Sequence, residues 1–141
     1  MVELASKHLF FHGSVVLLAG LLSGIPMGTA IINNRSEDTV RAWRVSHSGL
    51  AMVGIMMLAI AATIPHLRTG DLTRWVMVWS YVISGYAFTV ALLLGAWKGH
   101  RGLSPRPPFL NRIVYGGNMI GALGVLMGTL IVIIGAYRAL W

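Results

Sequence analysis

The polar positions of the chain cluster in short stretches and leave four long apolar blocks between them. The first runs from about Leu9 to Ile32, interrupted only by His12, small residues and Pro26. The second runs from about Val45 to Ile64, the third from about Trp75 to Trp97 and the fourth from about Ile113 to Tyr137. None contains Asp, Glu, Lys or Arg. Each approaches the ~20 residues that a helix rising ~1.5 Å per residue needs to cross a ~30 Å hydrocarbon layer. A membrane β-barrel would need alternating apolar and polar residues, and these runs do not alternate. The second helix has a start signal ahead of its block: Ser36 as a cap, then Glu37 and Asp38 in the first turn. The Ser104–Pro108 stretch is a stiff, non-helical turn. The pattern predicts a single all-α integral membrane domain, a bundle of four transmembrane helices over about 9–32, 37–65, 75–97 and 113–137, with the first block a retained anchor.

Composition sharpens this picture. Of 141 residues, 56% are hydrophobic and 11% charged, against about 25% charged in ordinary soluble proteins. Intrinsic disorder is excluded, and a water-soluble enzyme is disfavoured because a small domain has much surface to cover. With no cysteine, disulfides, iron–sulfur clusters, cysteine zinc sites and covalently attached haem are all excluded. The formal charge of +7 comes from basic residues scattered singly between apolar blocks. That distribution suits lipid headgroups and not nucleic acid. Lys7, Arg68, Arg74 and Arg138 fall on the side of the termini, while Arg35, Arg41, Arg44, Lys98, Arg101, Arg106 and Arg112 fall on the other. The positive-inside bias then puts the odd-numbered loops in the cytoplasm and the termini outside, as in a bacterial inner membrane.

Glycines and polar residues within the blocks carry the remaining information. Gly20, Gly24 and Gly28 recur every fourth residue, and block four holds Gly117, Gly121, Gly124 and Gly128. Such stripes mostly let two helices pack closely, and less often admit a flat cofactor. Polar residues at membrane depth are costly and tend to line sites. Tyr81, Ser84 and Asn118 are of this kind, and Asn118 has an interhelical hydrogen bond as its structural alternative. His12 and His66 share one side of the membrane and could span a cofactor, although both also suit an interface. His47 is sharper. The run from Leu50 to Ile64 is only fifteen residues long, so a full span draws His47, Ser48 and Gly49 to the headgroup boundary. His47 is therefore hydrogen-bonded across helices or bound to a metal. Arg44, one turn towards water, and Gly49, which lowers the helix surface, suit a haem whose propionates reach the interface.

The segment from Trp43 to Met56 resembles styrene oxide isomerase, a family of small four-helix membrane enzymes. The family has a tryptophan four residues before a His-Ser-Gly, here Trp43 and His47-Ser48-Gly49, then small and sulfur residues at the positions of Ala51, Gly54 and Met56. His12-Gly13, Pro65, Leu67, Arg101-Gly102-Leu103 and the Tyr137–Leu140 ending continue the likeness in register. The resemblance implies a homotrimer with one haem b per subunit at the subunit interfaces, and His47 as the axial ligand of its iron. It also implies a Lewis-acid reaction: ferric haem binds the oxygen of a small apolar epoxide, the C–O bond opens, hydride shifts, and a carbonyl compound leaves.

Three family positions differ here. The family's asparagine six residues after the histidine is Val53, its aspartate on the third helix is Ser84, and its tyrosine on that helix is Leu92. Tyr81, Ser84 and Asn118 are the candidates to take over contact with substrate. Two other functions stay open: a haem electron carrier or gas or redox sensor on the same scaffold, and a cofactor-free packing subunit of a larger complex.

Overall fold

A computed structural model describes all 141 residues, Met1–Trp141. The chain is all-helical: α1 (Val2–Leu22), α2 (Gly24–Ile32), α3 (Glu37–Thr63) with a 3-10 turn over Ile64–His66, α4 (Asp71–Lys98) and α5 (Phe109–Ala139). Helices α1 and α2 follow one another as a single span, so four spans are long and apolar enough to cross a bilayer. That is the make-up of an integral membrane protein. The helices start at Val2, Asp71 and Phe109, ahead of the Leu9, Trp75 and Ile113 that open the apolar blocks. A bilayer dictates only the apolar length, and polar turns continue the helix into the headgroup region wherever local contacts hold them. Glu3 pairs with Lys7 at 2.6 Å, Asp71 pairs with Arg74, and the Ser36 hydroxyl accepts the Thr39 N–H at 3.4 Å.

The joint between α1 and α2 was not part of the apolar pattern. Pro26 has no N–H, so the Leu22 carbonyl loses its helical donor and the helix breaks a turn earlier. Buried Ser23 sits at the break and donates to the Gly20 carbonyl at 2.6 Å.

Two tight antiparallel pairs, α1 with α3 and α4 with α5, make most of the packing, and α4 also leans on both α1 and α3. Glycines set the spacing of both pairs. In the first, an added Cβ at Gly20 would lie 2.5 Å from the Ala51 nitrogen, and one at Gly54 2.6 Å from the Leu17 nitrogen. In the second, Gly117, Gly121, Gly124 and Gly128 meet Ala91, Phe88, Ser84 and Tyr81 in order. Leu9, Val16, Leu50, Met57, Met77, Val78 and Tyr81 form the core between the pairs. The outside is apolar, as lipid contact requires: Phe11, Ile25, Ile83, Leu123 and Leu130 are all exposed. Because α5 packs chiefly on α4, α3 and α5 stand apart. A groove floored by α4 opens between them.

Candidate functional site

His47 closes the α1–α3 ladder at the end nearer the α3 N-terminus. Its imidazole lies against Gly24, where an added Cβ would come within 3.2 Å of Cε1 and Nδ1. Nδ1 donates to the Gly20 carbonyl at 2.9 Å. That carbonyl is at the α1–α2 break and also receives the Ser23 hydroxyl. With Nδ1 carrying the proton, Nε2 presents a lone pair. It has no partner within the chain and is not sealed in the core. A histidine whose one ring N–H is fixed by a backbone carbonyl is in the tautomer and orientation that a metal-ligating histidine adopts. No three His, Cys, Asp or Glu side chains converge to hold a bare ion. The arrangement suits a group that needs one axial donor, and Gly24 lets the helix backbone pack closely on the Nδ1 side of the ring.

The residues grouped with His47 on sequence divide between two faces of α3. Arg44 lies about 60° around the helix from His47. It is exposed, and only a loose 3.8 Å ion pair to Glu37 engages it. Its charge is available to a group held at His47 and reaching the headgroup level. Gly49 lies about 200° from His47. Its nearest neighbour is Leu92, and it lines the groove instead of the histidine face.

Tyr81 and Ser84 are part of the α4–α5 seam. Tyr81 is 1% exposed; its hydroxyl shares a 2.9 Å hydrogen bond with Thr129, and its ring lies on Gly128. Ser84 is fully buried with an unpartnered hydroxyl, pressed against Gly124 with no space before it. Neither is brought to His47. Asn118 is different: its carboxamide makes no hydrogen bond within the chain and faces the groove.

The groove has two stacked parts. Nearer the α3 N-terminus, a cavity of about 260 Å³ is bordered by Asp38, Arg41, Ser46, His100, Arg101 and Asn118. Further into the membrane, a cleft of about 540 Å³ is lined only by apolar side chains and Gly49, among them Met52, Val53, Phe88, Leu92 and Val125. Leu92 borders both. Val53 and Leu92, at two of the positions where the sequence departs from the pattern it resembles, thus line one cleft. Ser84, the third, does not border it.

The other histidines have local explanations. His12 bonds to the Tyr86 hydroxyl at 2.8 Å and packs with His8 and Trp79. His66 is exposed in the 3-10 turn, so the two do not form a pair. Sequence reasoning missed the Gly20 carbonyl and Arg41. Pro26 signals the first, because a proline implies a break a turn upstream. Nothing in the sequence signals that Arg41 faces a groove.

A family model described as styrene oxide isomerase matches residues 5–137. No curated protein and no solved structure shows a significant match.

Proposed function

The chain belongs to the styrene oxide isomerase family, and on that premise we propose that it binds haem b through His47 and isomerises an apolar epoxide to a carbonyl compound. The observation that carries this reading is the fixed tautomer of His47, with Nδ1 tied to the Gly20 carbonyl at 2.9 Å and Nε2 free. The glycine beside the ring fits as well, because only a residue without a side chain lets the α2 backbone pack this closely on the Nδ1 edge and hold the imidazole in place. Bound there, haem b would supply a ferric Lewis acid for an epoxide oxygen. The chain's own residues do the rest. Gly20 and Gly24 hold the imidazole, and Arg44, exposed one turn away, would be the residue to hold a propionate. The apolar cleft holds the hydrocarbon part of the substrate and keeps water from a ring-opened, cationic carbon. Asn118, the one free amide near the cleft, is the candidate donor to the substrate oxygen. Ring opening and a hydride shift to the neighbouring carbon balance without any added electrons.

His47 and the cleft lie on opposite faces of α3, so they meet at one group only between copies of the chain. This supports the homotrimer, with haem at its interfaces, that the family resemblance implies.

The test is turnover by haem-loaded protein on a panel of aryl and terpenoid epoxides without reductant. Carbonyl product, reduced strongly in Val125→Trp, supports the reading; no turnover anywhere on the panel contradicts it. The absence of polar side chains from the cleft favours one alternative, a haem electron carrier or gas sensor. That alternative predicts ready reduction or avid CO binding with no epoxide conversion.

A further inference from the structure

We propose that Ser23 is a positioning residue that tunes His47. By sharing the Gly20 carbonyl, it limits how strongly that carbonyl draws on the Nδ1 proton, and so keeps Nε2 a moderate donor to an axial metal. The inference rests on the reading of His47 as a haem ligand, and adds to it a residue from the joint between α1 and α2.

The joint makes a main-chain acceptor available. The last helical bond of α1 runs from the Ser23 N–H to the Ala19 carbonyl at 3.1 Å, so the next carbonyl along, that of Gly20, has left the ladder. It belongs to the C-terminal turn of α1, the negative end of the helix dipole. Two side chains donate to it: the Ser23 hydroxyl at 2.6 Å and His47 Nδ1 at 2.9 Å. Ser23 is 3% exposed, so its hydroxyl is committed to this bond.

Both donors draw on one oxygen. A carbonyl that accepts a second hydrogen bond is a weaker acceptor for the first, and a low local dielectric enlarges the effect. Alone on a helix-end carbonyl, Nδ1–H would be pulled hard and the ring pushed towards imidazolate character, which makes a stronger axial donor and a less electrophilic metal. Ser23 counters that pull, in the direction a Lewis acid needs. Back-bonding of serine to a preceding carbonyl is common and by itself structural. Ser14, Ser48 and Ser80 do it here, each to a carbonyl four residues back. Ser23 differs because its acceptor is also the partner of a histidine.

The test uses the full chain in detergent, with and without haem. In the haem-free protein at mildly alkaline pH, the proton on His47 Nδ1 should move downfield in Ser23→Ala by magnetic resonance. It should stay near its wild-type position in Ser23→Thr, which restores a hydroxyl, and in Ser14→Ala, which removes a hydroxyl elsewhere on α1. In the haem-loaded protein, Ser23→Ala should keep the Soret band and raise the ferrous iron–histidine stretch. It should also shift the ferric–ferrous equilibrium about threefold towards ferric, about 30 mV in midpoint potential. An unmoved Nδ1 proton in Ser23→Ala, an unmoved potential, or an equal shift in Ser14→Ala would overturn the role of Ser23. Failure to take up haem overturns the underlying reading and is seen separately, because the proton shift is read without haem. Ser23→Ala removes one oxygen and leaves the Gly20 carbonyl with His47 as its donor, so it keeps the test valid even where the threonine variant fails to fold.

Discussion

The two glycine seams look alike in sequence and are put to different uses. Along α4 and α5, Gly117, Gly121, Gly124 and Gly128 receive Ala91, Phe88, Ser84 and Tyr81, and the seam is closed. The polar groups it contains are either satisfied within it, as Tyr81 is by Thr129, or walled in, as Ser84 is by Gly124. Along α1 and α3 the same kind of ladder runs from Gly13 to Gly24, but its last rung is the His47 imidazole. There one ring nitrogen is satisfied and the other is reachable. A polar residue in a membrane seam thus offers chemistry only when its second polar atom faces outward. The glycine spacing alone does not reveal which case applies.

Substitutions that close or open each seam separate packing from chemistry. The largest effect on stability is expected at Gly124→Val, whose side chain would meet the Ser84 hydroxyl and the Ser80 carbonyl. Overpacking there should cost about 3 kcal/mol in reversible unfolding from detergent, and the haem spectrum of the protein that remains folded should be unchanged. Gly24→Ala reverses the pattern. Its methyl would crowd the imidazole at 3.2 Å, loosening the Nδ1 bond, so haem affinity should fall about tenfold while stability changes by less than about 1 kcal/mol. Haem titration and thermal unfolding of the same samples check both numbers. The smallest effect belongs to Ser84→Ala. Removing an unpartnered buried hydroxyl should leave stability within about 0.5 kcal/mol of wild type or raise it slightly. A large loss of epoxide turnover in that variant would instead return Ser84 to the site.

Much of this was legible in the sequence because the bilayer is an exacting solvent. It demands four apolar runs and punishes charge, so the spans and the absence of strands follow directly from the pattern. The Ser36 cap follows from an equally local rule. Facing directions were harder. Gly49 is grouped with His47 on sequence because a glycine lowers the helix surface, yet a spacing of two residues puts it on the other side of the helix. Tyr81 and Ser84 stood out as polar residues in lipid, but their partners Thr129 and Gly124 are on another helix, in a register fixed by packing. The Gly20 carbonyl is a backbone group with no side-chain signature, and only Pro26 hints that the helix breaks beside it. The groove arises because α5 rests mainly on α4, a consequence of helix pairing that no single segment records.

The most direct test of the account is the absorption spectrum of detergent-purified protein made with ample haem, oxidised and dithionite-reduced, beside His47→Ala. The account predicts a Soret band in the wild type that is lost in the variant while the helical content stays the same. It also predicts a ferric spectrum with an open coordination position. A colourless wild-type protein, or a Soret band that survives in His47→Ala, would contradict it.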